Sequence, residues 1–227
     1  MHVTIVTQNL EGCPTMKPKL RPNAVPDIPL TQPTTAEPHL SGELGPALCV
    51  YNNANFTKED WQGIQMINSS VKEYDPVKIG RFGLGFKSVF HITDYPMIIN
   101  GNRMLVLDPH KSADRVCINM KLNKLHKYKK QLDISHCLNA LDGLFGFSQG
   151  TLDSGDFDGT LFRFPLREQK TNLSDNVYDK EKISDLFNAF KAEASVELLF
   201  LNCIEKIELY EKDGYKLHKS DEPPFLL

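Results

Sequence analysis

The stretch Ile79-Gly-Arg-Phe-Gly-Leu-Gly-Phe-Lys-Ser-Val-Phe-His-Ile-Thr-Asp94 decides how the rest of the chain is read. Gly80, Gly83 and Gly85 fall close together, and Phe86, Val89, Phe90 and Ile92 follow them at helical spacing. Glycine lets the backbone approach a ligand and adopt φ > 0 without a Cβ clash. A glycine-rich turn feeding a helix points unpaired N–H groups and the positive end of the helix dipole at one spot, which suits a phosphate. The same spacing also fits a tight turn with a helix cap, so the glycines alone leave both readings open.

Working outward, Ala47-Leu-Cys-Val-Tyr51 is a short apolar run between Gly45-Pro46 and Asn52-Asn53, which predicts a buried strand ending in a turn. Thr57-Lys-Glu-Asp60 has the form of a capping box, opening a short amphipathic helix through Trp61 and Ile64 to about Ser70. Trp61 is expected to anchor that helix in the core. Val71 to Val77 reads as a loop. On the other side of the glycines, Pro96–Ile99 and Met104–Leu107 flank Asn100-Gly-Asn102, which predicts a β-hairpin. Gly159 to Arg167 alternates as a core strand, Ile183 to Leu201 carries a helical apolar stripe, and Ile204 to Leu209 alternates again. The order is mixed α and β with hairpins, so the expected class is α+β, with helices on one face of a mainly antiparallel sheet.

Phe82-Gly83-Leu84-Gly85-Phe86-Lys87-Ser88 resembles the phosphate-lid glycine box of the GHKL ATPases, the superfamily of the ninety-kilodalton heat-shock chaperone, type II topoisomerases and histidine kinases. Gly45-Pro-Ala-Leu-Cys-Val-Tyr-Asn-Asn53, Gly80-Arg-Phe-Gly83 and Leu107-Asp-Pro-His110 are more similar still to the chaperone-like domain of the sacsin type. The resemblance spans about Gly45 to Tyr210. It implies a two-layer α/β sandwich of the Bergerat type, N-terminally incomplete, that binds ATP or ADP. It further implies Gly80, Arg81, Phe82, Gly83, Leu84, Gly85, Phe86, Lys87 and Ser88 around the β- and γ-phosphates.

The resemblance also places Asn52 or Asn53 where the family has an adenine-reading aspartate. An asparagine oxygen still accepts a hydrogen bond there, without charge. Ala54 and Asn55 stand where that turn carries glycines, which departs from the pattern. Thr160, in Gly159-Thr160, matches the threonine that supports the base-reading residue. The family's first motif is a helix carrying a catalytic glutamate and a Mg²⁺-binding asparagine. Glu11, Glu37 and Glu43 lie in no such helical pattern, so no catalytic residue is assigned and Mg²⁺ has no matched ligand. Two readings follow: a fragment of a longer product, or a relative that keeps the scaffold and has lost hydrolysis. An ATPase completed by another chain and a nucleotide-free interaction module are the functional alternatives.

Composition bounds the remaining possibilities. The 227 residues are 41% hydrophobic and 24% charged, as in soluble globular domains. A net charge of −3 gives no reason to expect nucleic acid or an anionic membrane as partner. The basic run Lys121 to Lys130 reads as a solvated surface helix, since only Tyr128 offers an aromatic platform. Asp153 to Asp158 is acidic but lacks calcium-loop spacing and reads as a turn. Five scattered cysteines without a C-x-x-C pair, and no basic-then-apolar leader, point to a reducing, cytoplasmic setting. Client proteins or other chaperones are the expected partners. Eight of the 14 prolines lie between Pro14 and Pro46, so residues 1–44 are expected to form a disordered or polyproline tail. The domain would then span 45–215, followed by a short tail at 216–227.

Overall fold

A computed structural model describes residues 2–9, 46–65, 84–109, 116–128, 135–199, 204, 206–213, 216–219 and 225–226. The strands are β1 (His2–Asn9), β2 (Ala47–Asn52), β3 (Met97–Gly101), β4 (Arg103–Leu107), β5 (Val116–Lys121), β6 (Phe157–Pro165), β7 (Lys206–Asp213), β8 (Lys216–Lys219) and β9 (Phe225–Leu226). The helices are α1 (Lys58–Gln65), α2 (Leu84–Lys87), α3 (Leu122–Tyr128), α4 (Ser135–Leu141), α5 (Gln149–Ser154) and α6 (Lys180–Leu198), with a 3₁₀ turn at Ser88–His91. The strands form a single sheet in the order β5-β4-β3-β6-β2-β1-β7-β8, with β9 also paired to β7. Every neighbouring pair is antiparallel except β1 with β7. The class is therefore α+β, as the sequence implied.

Two local expectations hold in detail. The hairpin pairs Asn100 with Arg103, so its loop is Gly101-Asn102, and Gly101 supplies φ +51 at the first loop position. At α1 the capping box is reciprocal. Thr57 Oγ1 accepts from the Asp60 N–H at 3.2 Å, and Asp60 Oδ2 accepts from the Thr57 N–H at 3.0 Å. The basic run is also as expected: Leu122 and Leu125 of α3 are buried while Lys121, Lys124 and Lys127 face solvent.

The expectation of helices on one face is corrected by the alternation along the strands. Met97 and Ile99 of β3 join Met104 and Val106 of β4 in a core closed by Leu122 and Leu125 of α3, Leu138 and Leu141 of α4 and Leu152 of α5. Ile98, Leu105 and Leu107 point the opposite way, into a second core with Trp61 and Ile64 of α1, Phe86 of α2 and Phe90. Farther along that second face, Phe187, Phe190 and Leu198 of α6 pack with Val50, Ile207 and Leu209. Both faces are thus covered over the middle strands. The strands read as near-continuous apolar runs for that reason: Met97 to Asn100 and Met104 to Asp108 are buried without interruption.

The expectation of an unstructured segment from residue 1 is also corrected at its start. His2–Asn9 is a strand inserted between β2 and β7. The signal lay in Val3-Thr-Ile-Val-Thr7, five β-branched residues before the first proline at 14. The proline-dense remainder of that segment lies outside the described residues, as do Val71–Val77 and the expected helix end at 66–70.

Candidate functional site

The helix expected after the glycine box is shorter than its apolar spacing suggested. It runs as α2 for one turn and then as the 3₁₀ turn Ser88–His91. The cause lies far away in sequence, at Arg167 directly after the β6 region. Its backbone N–H donates to Ile92 O at 3.0 Å, and its guanidinium donates to Phe90 O and His91 O, both at 2.9 Å. These carbonyls are therefore committed to Arg167, where a continuing helix would need them for its own amides. Arg167 Nε also donates to Asp94 Oδ1 at 2.9 Å, and Nη2 donates to the same oxygen. Both charged side chains are removed from solvent, at 2% and 13% exposure. Asp94 additionally accepts from Thr171 Oγ1 at 3.3 Å. The end of the deciding stretch is thus strapped to the segment that follows β6.

Two adjacent cross-strand rows define the face above which α2 lies. The apolar row is Val50, Phe162, Ile98 and Leu105, each opposite the next in register. Two residues along each strand comes the polar row: Asn52, Thr160, Asn100 and Arg103. Phe86 of α2 sits over the apolar row, its ring 6.3 Å from that of Phe162. Phe56, just before α1, lies 6.0 Å from the same ring and 5.2 Å from Trp61. Aromatic surface from three segments therefore closes over the row next to the polar one.

The polar row is tied down by hydrogen bonds at its centre. Asn100 is 3% exposed, and its amide nitrogen donates to Asn55 Oδ1 at 3.1 Å, Gly159 O at 3.0 Å and Thr160 Oγ1 at 2.8 Å. The Gly159 carbonyl only accepts, which fixes which end of the amide faces it. Thr160 Oγ1 donates in turn to Ala54 O at 2.6 Å. Asn55 Oδ1 accepts a second bond from the Gly159 N–H at 3.2 Å, and Asn52 Oδ1 accepts from the Ala54 N–H at 3.1 Å. Residues 52–55 thereby form an Asx-type turn folded back onto β6. Gly159 is required at this point: its φ is +92, and a Cβ would stand 2.4 Å from Asn52 O.

Of the residues singled out from sequence, Asn52 and Thr160 are cross-strand partners and Phe86 lies one row away on the same face. Asn53 is exposed beside Asn52. Gly85 is exposed, and a Cβ there would meet nothing within 4 Å, so nothing among the described residues crowds it. Ser88 donates its hydroxyl to Gly85 O at 2.7 Å, which closes the turn locally. Leu84 and Lys87 take part in α2 through their backbones; Gly80, Arg81, Phe82 and Gly83 lie outside the described residues. Among the described residues no group of three or more His, Cys, Asp or Glu side chains is placed to hold a metal, and no helix is long and apolar enough to cross a membrane.

Asn100 and Arg167 were not singled out from sequence. Asn100 reads as a turn residue beside Gly101, and its partners are Asn55, Gly159 and Thr160, 45 to 60 residues distant. Arg167 pairs across 73 residues. No local pattern encodes either contact.

On the other face one titratable group among the described residues departs from its ordinary value. Tyr51 stacks on Phe145, with centroids 5.0 Å apart, and donates its hydroxyl to Asp158 O at 3.1 Å. Burial raises its pKa above the ordinary phenol value, and the Asp158 charge raises it further.

The model of the Sacsin domain family matches residues 30–222. Human Sacsin is 46% identical over 177 residues, which is 75% of this chain. The chain spans 4% of the length of that relative.

Proposed function

The chain belongs to the Sacsin domain family, and from that premise we propose that it is a chaperone-type domain of the GHKL kind that holds ATP or ADP on the face carrying Asn52, Thr160 and Phe86. One observation carries the reading: three separate segments named from sequence converge there, Asn52 opposite Thr160 on neighbouring strands and Phe86 against the adjoining row. In this reading the base lies beside the Asn52–Thr160 pair. The backbone from Gly80 to Ser88 holds the phosphates, with Arg81 and Lys87 as added cations. In this reading hydrolysis is impaired, since Glu11, Glu37 and Glu43 match no catalytic position of the family motif. Without a matched Mg²⁺ ligand, charge neutralisation falls to the backbone amides and those two cations. The domain would act in the cytoplasm on client proteins or beside other chaperones, and its nucleotide would report state rather than supply work.

A specific observation favours a second reading, a nucleotide-free interaction module. The Thr160 hydroxyl donates to Ala54 O, and the Asn52 oxygen already accepts from the Ala54 N–H, so both groups are engaged within the chain. Calorimetric titration of the full chain with ATP and ADP, with and without Mg²⁺, separates the two. Micromolar binding, on the order of −8 kcal/mol, supports the first reading. It should disappear in Gly83→Val, where a β-branched side chain replaces the bare backbone beneath a phosphate. No heat from folded protein establishes the second.

A further inference from the structure

Asn100 is a buried amide on β3 that reaches two other parts of the chain at once: the turn at 52–55 through Asn55, and β6 through Gly159 and Thr160. An amide nitrogen has two hydrogens, so three acceptors at 2.8 to 3.1 Å share them, and the group is saturated as a donor. A buried network of this kind is worth keeping only when its members satisfy one another. The Thr160 hydroxyl shows the coupling: it accepts from Asn100 and passes its own proton to Ala54 O. Asn55 is coupled in the same way, since its one oxygen accepts both Asn100 and the Gly159 N–H. Asn100, Asn55 and Thr160 thus each link β3, β6 and the turn, and Asn100 is the donor that β3 contributes.

We infer that Asn100 is a positioning residue of the nucleotide site, a latch that holds the Asn52–Asn55 turn against β6 in the conformation the base requires; this rests on the reading above. Asn55, which departs from the glycine of the family pattern, is the other half of the latch. A glycine gains its freedom at such a turn by having no side chain. Here the side chain is retained because its oxygen carries two bonds that fix the turn. Asn100 acts through Asn55 and Thr160 and does not itself touch ligand.

The same chemical change at the two ends of one hydrogen bond should give opposite results. Asn55→Asp keeps an oxygen acceptor for Asn100 and Gly159. Asn100→Asp replaces the donor with a carboxylate facing three acceptors. Amide exchange at Gly159 reports the latch directly, and calorimetry with ADP reports its consequence. In Asn55→Asp the Gly159 N–H should exchange as it does in the unaltered chain. In Asn100→Asp the Gly159 N–H should exchange about tenfold faster and ADP should bind about tenfold more weakly, near the loss of one buried hydrogen bond, in protein still folded by circular dichroism. If Asn100→Asp does not fold, Asn100→Ala removes the same donor without adding a charge, with the same two expectations. Unchanged exchange at Gly159 overturns the latch. Faster exchange with unchanged ADP affinity overturns its role in binding and leaves Asn100 as structure alone. If exchange responds as stated but the unaltered chain takes no ADP, the nucleotide reading falls and the latch stands.

Discussion

The two faces of the sheet are built from the same strands and bury different mixtures of side chains. Beneath α3, α4 and α5 the core joins Met97, Ile99, Met104, Val106, Met120 and the leucines of three short helices to the rings of Phe147 and Phe157. Beneath α1 and α2 it is aromatic, with Phe56, Trp61, Phe86, Phe90 and Phe162, and a hydrogen-bonded polar row lies alongside. Aliphatic packing is non-directional and tolerates rearrangement at a modest cost. Polar groups placed in a core must find partners of fixed geometry. The linked polar row therefore lets the second face position particular atoms. The nucleotide site proposed above is placed on the second.

The largest test of that division is at Arg167. Arg167→Met leaves Asp94 without its cation and releases the Phe90 and His91 carbonyls. Breaking a buried pair from one side costs about 3–5 kcal/mol, so chemical denaturation should show a loss of that size. The damage should centre on the aromatic face, where α2 ends. Next comes Leu125→Ala on the opposite face, at a fully buried position. A loss of about 2–5 kcal/mol is expected from lost burial and the cavity, with the Gly159 amide exchange unchanged. If that exchange speeds up well below global unfolding, the two faces are not independent.

A smaller effect is expected at the start of α1. Thr57→Ala removes the hydroxyl that accepts from the Asp60 N–H and should cost about 1 kcal/mol. Trp61 fluorescence follows the helix directly. The smallest effect is a titration. The folded state favours the neutral Tyr51 phenol, since burial and then Asp158 raise its pKa from 10.0. The stability this contributes is whole below the ordinary phenol pKa and is lost as pH rises through the raised one. Absorbance at alkaline pH should show one late-ionising tyrosine, absent in Tyr51→Phe. In Asp158→Asn the same tyrosine should ionise earlier than before.

What the sequence made legible was what neighbours in sequence decide. The Thr57–Asp60 box, the loop at Gly101-Asn102 and the periodicity of α6 are each written within one element. The coverage of both faces was not legible, because a strand buried on two sides loses the alternation that would show which residue faces which layer. β1 was overlooked because the proline density of the segment as a whole masked its first nine residues. The Asn52–Thr160 pairing was anticipated only through family resemblance. The role of Asn55 was hidden in a departure from the family's glycine, and its meaning appears only beside Asn100.

The parallel pairing of β1 with β7 sets a constraint on the order of assembly. His2 stands opposite Lys206, so nearly the whole chain lies between two adjacent strands. On a ribosome adding about 5–20 residues per second, β1 waits roughly 10–40 s for this neighbour. Meanwhile it can pair with β2, but its other edge presents unpaired N–H and C=O groups to any passing strand. The pairing with β7 closes that edge only once most of the chain has been made. A domain assembled in this order is most vulnerable to aggregation while it is being made, and a shielding partner would be of most use to it then.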